Sequence, residues 1–467
     1  MIPAIALCAI ALAAADAGGG GTRATGYLDL RGEWTLQWPS SAEAPPVAAL
    51  YGPPVLSLLT EGNVQLRLRL AEGADLSADV SLFVSQETGA KGPLAGPLAL
   101  GNLVVPSELY ATLDLAPNLG ALVGRKRVVW GSGFAWNPSD LLDPPKDPTD
   151  PTFQRAGAWM VRAEAPFERF TVTALWAPKV TAVQAGLPRR FLSEPGGSGA
   201  EQILAARVYV LAADADLNLM WFWSNRYADA LPDSHRLAGS FSRYLGAWEL
   251  HAEAIAQRGR DALVADPACL PAPGGPLDPL LACAAAGRSP VTRPFERASA
   301  IYAQAVAGTR TTFADESLLS LEYDYNGTGL APAQWRDQQR FLAVLPALEA
   351  LRPTLPPDVA AQLPDPVSFL GGAGPGQPAR FAFRQQRRHY LLAVFQKPRI
   401  ADDFTASATA IWGLEDLSGL LAPGLAWSAR EWLLLSLFAQ VPFGGRDTEF
   451  GSLPFRFRAI LEARAYY

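Results

Sequence analysis

Along most of its length the chain alternates apolar and polar residues one by one. From Tyr27 to Trp38, Leu28, Leu30, Trp34, Leu36 and Trp38 stand against Asp29, Arg31, Glu33, Thr35 and Gln37. From Asp75 to Ser85, Leu76, Ala78, Val80, Leu82 and Val84 oppose Asp75, Ser77, Asp79, Ser81 and Ser85. Successive side chains of a strand point to opposite faces, so this period of two predicts strands with one greasy and one wet face. About 18 such runs are counted, with 16 the lower count, at 26–38, 62–72, 75–87, 105–116, 120–131, 156–166, 167–178, 202–213, 214–225, 234–245, 246–258, 298–309, 314–326, 384–396, 402–413, 418–430, 431–441 and 454–467. Many reach about 10 to 13 residues, whereas strands of soluble sheets cluster near ~5 to 6. A tilted strand needs ~9 to 11 residues to cross a bilayer. The pattern therefore predicts an all-β, antiparallel, up-and-down transmembrane barrel in contact with lipid, over a soluble sandwich or propeller.

The connections alternate in length. Short turns such as Glu72 to Ala74, Ala116 to Leu119, Ala213 to Ala215 and Arg399 to Asp402 fall between long segments near 131–156, 259–297 and 327–383. Bacterial barrels carry short turns at the periplasmic end and long loops outside, which puts both termini in the periplasm and the barrel in the outer membrane. No edge can stay unpaired in lipid, so the last strand must meet the first. The last run alternates to its end at Tyr467, and a terminal strand closing on an aromatic resembles the assembly signal of outer-membrane barrels; that resemblance implies the barrel assembly machinery as a partner. The first residues, Met1 to Ala17, read as a signal peptide, with Ala13-Ala14-Ala15 and Ala15-Asp16-Ala17 both suiting cleavage. Residues 18–467 then form one barrel.

Composition narrows the function. Hydrophobic residues make up 49%, yet no later apolar run reaches the ~18 residues of a spanning helix. The net charge of −6 lacks the basic footprint of a nucleic-acid binder. His235, His251 and His389 are the only histidines, and none stands in a G-x-S-x-G or H-E-x-x-H context, so no hydrolase is expected. Neither a metal site nor a cofactor is expected.

Three long segments carry the candidate chemistry. The first holds Trp130, Phe134, Trp136, Asn137 and Asp140 within Trp130-Gly131-Ser132-Gly133-Phe134-Ala135-Trp136-Asn137-Pro138-Ser139-Asp140. Two readings apply equally, a loop folded into the lumen as a constriction and an ordinary rigid surface loop. This W-G-x-G…N-P-x-D stretch, with Glu322-Tyr323-Asp324-Tyr325-Asn326-Gly327, resembles porin-like outer-membrane proteins of the alginate-export kind. The resemblance implies a porin-like barrel and names no substrate. In the second segment, Cys269 and Cys283 are a disulfide candidate for an exported protein, without the spacing of a metal site. The third contains a helical run from Pro332 to Leu351, a packed decoration or a lid.

The polar phase of the runs supplies pore-lining candidates: Arg67, Arg69, Glu108, Asp114, Arg125, Arg127, Glu249, His251, Glu322, Asp324, Arg456, Arg458 and Arg464, with Arg31, Glu33, Asp79 and Glu253 on the same phase. Acids such as Glu108 and Asp114 are expected to face the arginines and set a transverse field. The expected function is passive passage of small polar or anionic solutes. The alternative is a surface barrel that binds polysaccharide or a protein without transport. The sequence specifies no oligomeric state.

Overall fold

A computed structural model describes residues 24–39, 56–88, 103–142, 148–149, 157–179, 201–225, 234–259, 264–292, 300–363 and 386–466. The leader expected at 1–17, Tyr467 and parts of the long connections lie outside them. Eighteen strands form one sheet. In chain order the strands are β1 (Ala24–Pro39), β2 (Leu56–Ala71), β3 (Ala74–Thr88), β4 (Leu103–Ala116), β5 (Leu119–Lys126), β6 (Ala158–Pro166), β7 (Phe170–Lys179), β8 (Glu201–Ala212), β9 (Ala215–Ser224), β10 (Ser234–Leu245), β11 (Trp248–Arg258), β12 (Val264–Ala265), β13 (Val291–Thr292), β14 (Ile301–Thr312), β15 (Leu318–Asn326), β16 (His389–Ile400), β17 (Phe404–Gly413), β18 (Ser418–Arg430), β19 (Leu433–Phe443) and β20 (Phe455–Tyr466). The short β12 and β13 make a separate two-stranded sheet.

Each strand of the large sheet pairs antiparallel with its neighbours in sequence, β11 passing directly to β14. β1 pairs with β2 on one side and β20 on the other, so the hydrogen-bonded ladder returns to its start. The connections alternate as expected with one exception: those at 72–73, 117–118, 167–169, 213–214, 246–247, 313–317, 401–403 and 431–432 are short, and those at the other end are longer except 414–417. Ala24 and Tyr466 lie at the same end as the short turns. Ala213 and Asp214 both adopt positive φ, 51° and 57°, as a two-residue type I′ hairpin demands.

The wall is inside out relative to a soluble sheet. In β1 the polar Arg31, Glu33 and Thr35 are buried, while Trp34, Leu36 and Trp38 are 40%, 38% and 48% exposed. Paired residues share a face of the sheet, and the pairings Leu437↔Leu461 and Leu461↔Trp34 join exposed apolar residues into one outward row. Hydrocarbon is the solvent that favours this polarity. Exposed Trp38, Trp159, Trp176 and Trp412 lie toward the long-loop end, and Trp248, Trp427 and Trp432 toward the short-turn end. Tryptophans at both ends suit the two membrane–water interfaces.

Beyond the wall, the second and third long segments build one small body. It contains α1 (Asp278–Ala285), α2 (Pro332–Leu351) and α3 (Pro357–Gln362). Phe341, Leu342, Leu345 and Leu348 of α2, at helical spacing, pack on Ala265, Leu270, Leu280, Ala284 and Val291. A Cys269–Cys283 disulfide closes the second segment on itself. Trp335 ties α2 to the β19–β20 connection through Nε1, which donates to Asp447 O at 2.6 Å.

Candidate functional site

The distinctive feature of the lumen is the segment that follows β5. It leaves the wall at Lys126, five residues before the alternation in the sequence runs out, and turns inward. Its two ends, Val128 and Trp130 at the start and Leu142 at the close, seat against Leu122, Met160, Leu175, Ile203, Met220, Phe222 and Ile255, all on the inner face of β5 to β11. Its middle, at Ala135 and Trp136, packs against Tyr390, Leu392, Ile411, Leu420, Phe450 and Phe455 on the β16 to β20 side. The Trp136 and Tyr390 rings lie 5.5 Å apart. The segment thus touches two separate stretches of wall. Thr149 continues the path, accepting from Gln440 Nε2 of β19 at 2.6 Å.

Between the two seats the segment is held by carboxylates. Glu253 of β11 accepts from Ser132 N at 2.7 Å, Gly133 N at 3.3 Å, Ser139 N at 2.6 Å and Ser139 Oγ at 2.7 Å. Glu322 of β15 accepts from Phe134 N and from Ala135 N, the latter at 2.8 Å. His251 Nε2 lies 2.8 Å from Glu322 Oε1. His251 and Glu322 flank Gly308 of β14 in register. A Cβ at Gly308 would lie 2.6 Å from His251 Nε2 and 2.7 Å from Glu322 Cγ, so the missing side chain lets the two meet. Gly131, at φ +99°, likewise leaves room for Glu253, whose Oε2 a Cβ would meet at 2.1 Å. Asn137 and Asp140 shape the turn, Asp140 N donating to Asn137 O at 3.0 Å.

The wall charges sit in local pairs. Arg31 of β1 bridges Glu462 of β20 at 2.5 Å and Glu33 at 3.2 Å, all three buried. Arg458 donates to Gln440 Oε1 at 2.9 Å and lies over the Phe455 ring. Arg310 and Glu249 meet at 2.5 Å. Arg67 and Arg69 share Asp75, and their side chains remain 65% and 60% exposed on the phase of buried Asn63. Arg464 aligns with Arg31 in register. Asp324 is buried and aligns with Tyr390.

Four placements differ from the sequence reading. Arg125 aligns with Leu109 and Trp159, both on the outward face; it is buried there with Nε donating to Gly157 O at 2.7 Å. It does not join the lumen charges. Arg456 is exposed at a slip in register, where Trp38↔Phe457 is followed by Pro39↔Phe455. That slip turns Phe455 inward. Glu108 does not face the arginines across the lumen; it lies beside Arg127, accepting from its N at 2.8 Å and its Nε at 3.4 Å. Asp114 is exposed beside the turn at Gly73, whose carbonyl accepts from its N–H. Side-by-side pairing of opposite charges cancels most of the transverse field.

At the long-loop rim, Glu449 accepts from Gln386 N at 2.9 Å and from Tyr390 Oη at 2.6 Å, and its own N–H donates to Asp416 at 2.8 Å. Burial pushes its carboxyl up to about 8. Arg387 pairs with Glu415 at 3.2 Å next to it. The sequence reading missed this knot, which joins three connections, and missed Glu462 and Gln440 as partners of Arg31 and Arg458. It also missed the apolar inner seat, although Leu217 to Trp223, apolar at both phases but for Asn218, carries its signal.

Solved structures share this architecture at low identity. OccK5 (OpdH) of Pseudomonas aeruginosa matches with a TM-score of 0.51 and 9% identity over 95% of this chain and 97% of its own. OccAB1 of Acinetobacter baumannii gives 0.51 and 9% over 95% and 96%. A BenF-like porin from Pseudomonas fluorescens gives 0.50 and 8% over 95% and 98%. The likeness is one of fold. No family model and no curated protein matches the sequence.

Proposed function

We propose that the chain is a passive channel of the bacterial outer membrane for small polar solutes, with anions preferred. The observation that carries this reading is the closed ladder of strands with exposed apolar residues outside and buried polar residues inside. A barrel of about 18 strands is wide enough to hold water unless something fills it, and here one segment enters and narrows it. The fold shared with a BenF-like porin supports the same reading. So does the resemblance of the Trp130–Asp140 and Glu322–Gly327 stretches to alginate-export-like porins, which names no cargo.

The preference for anions rests on Arg67 and Arg69, the lumen-phase guanidiniums that stand most open to solvent toward the short-turn end. The test is reconstitution of the purified chain in a planar bilayer. Defined current steps are expected, with a reversal potential in a salt gradient that shifts toward cations in R67Q/R69Q. An electrically silent bilayer would refute the channel. It would favour the second reading, a surface barrel that binds polysaccharide or protein, which the disulfide-closed body on the long-loop side supports.

A further inference from the structure

We propose that Glu253 and Glu322 are positioning residues that fix the crossing segment within the lumen and thereby set the width and steadiness of the aperture; this rests on the channel reading. Residues 128–142 contain no helix or strand. Their backbone N–H groups, carried into the interior, need acceptors from elsewhere. Four consecutive amides, those of Ser132, Gly133, Phe134 and Ala135, all point at these two carboxylates, and Ser139 adds its N–H and hydroxyl. Bonds to an ionised acceptor are shorter and stronger than neutral ones, so two wall residues fix the direction of the whole stretch. The apolar seats, one under its two ends and one under its middle, hold it in the barrel. They specify no orientation, because burial of apolar surface has no direction.

Three glycines fit this assignment. Gly131 brings the segment's backbone against Glu253, and a Cβ at Gly133 would strike Trp136 O at 2.2 Å within the turn. Gly308 opens the wall between His251 and Glu322, so that the histidine ring braces the carboxylate at Oε1. A glutamine at 322 would offer one acceptor oxygen where two amides now bond, and its NH₂ would meet an N–H. A glutamine at 253 has the same defect against Ser132 and Ser139.

The test compares E253Q, E322Q and the double variant with the wild type in the full chain. Size exclusion of polyethylene glycols from the open pore gives the aperture, and current noise gives its steadiness. The excluded size is expected to shift and the open-channel noise to rise by about two-fold or more, as a loosened constriction lets the ion path fluctuate. E253D and E322D, which keep the charge, are expected to fall between. A second readout needs no conduction: in a chain carrying F134C, with Cys269 and Cys283 bonded to each other and Cys8 replaced by serine, thiol labelling should be faster with E253Q or E322Q than without. Unchanged labelling together with unchanged exclusion in folded barrels overturns the assignment. A silent wild-type barrel whose labelling still quickens would sink the channel reading and leave the positioning role standing. If E322Q fails to fold, G308A, whose Cβ would press on Glu322 Cγ and His251 Nε2, takes its place in both assays; wild-type behaviour there counts against the proposal.

Discussion

Replacing Leu461 with arginine puts the inside-out polarity of the wall to a quantitative test. Leu461 lies at the middle of β20, is 47% exposed, and sits in the outward row with Leu437 (50%) and Trp34 (40%). On a soluble sheet, a half-exposed leucine changed to arginine shifts stability by no more than about 0.5 kcal/mol. On the lipid face of a barrel, an arginine at the bilayer midplane costs about 2–4 kcal/mol. At about 1.4 kcal/mol per tenfold, that is a loss of roughly 30- to 700-fold in the folding constant. The two environments therefore differ by far more than the error of a denaturant titration.

The assay is guanidinium unfolding in phospholipid vesicles, followed by tryptophan fluorescence and by the heat-dependent gel mobility of folded barrels. The control is T112R, on the inner face of β4, where register places Thr112 beside Asp75 in the solvated lumen. Threonine 112 is only half buried, so T112R should stay within about 1 kcal/mol of the wild type. L461R matching the wild type, or T112R losing more than L461R, would refute the assignment of faces.

Two further outcomes follow from the long-loop side. Glu449 has a folded pKa of about 8 against an ordinary carboxyl value of 4.5, so the folded state holds an extra proton between the two; its contribution is complete below pH ~4.5 and is lost as pH rises toward 8. Unfolding midpoints should therefore fall across that window in the wild type more than in E449Q, and equal slopes would contradict the burial of this carboxyl. Reduction of Cys269–Cys283, which are 14 residues apart, should weaken the outer body by about 3 kcal/mol on a chain-entropy argument and expose α2 to protease while the barrel keeps its gel mobility. Protection of α2 that survives reduction would separate the disulfide from the packing of that body.

The strands were legible because the rule that makes them is local. Each residue of β1 or β20 chooses a face by its own polarity, and the period of two survives with no knowledge of distant neighbours; strand positions read from the alternation differ from the structure mostly by a few residues at the ends. Legibility stops where the rule is broken by something outside the strand. Arg456 misleads because a slip against β1 resets the phase, and the sequence of β20 alone does not contain β1. Arg125 misleads because charge was taken to mean the wet face; Val123, two residues earlier, marks the outward phase, and Arg125 follows it while reaching a backbone carbonyl at the rim. The Trp130–Asp140 and Glu322–Gly327 stretches are both conspicuous in the sequence, yet nothing local says that the amides of one end on the carboxylate of the other, 187 residues away.

The inner wall shows why the crossing segment and its seat must be read together. A polar inner phase suits a water-filled lumen, and β1 to β4 keep one, with Arg31, Glu33, Asp75, Asp79 and Glu108. From β5 to β11 the half of the inner phase toward the long loops carries Leu122, Met160, Leu175, Ile203, Met220 and Phe222. Such side chains gain nothing from facing water, and about 25 cal/mol per Å² from being covered. Trp130 and Leu142 cover them. Covering also dries the segment's own backbone, and a dry unpaired N–H costs about 1–3 kcal/mol, so an apolar seat creates the need for acceptors that it cannot supply. Glu253 and Glu322, flanking β14 at the edge of that seat, supply them. A loss of alternation in consecutive strands therefore marks where a segment lies against the inner wall, and an acid within the next few strands marks where its amides end.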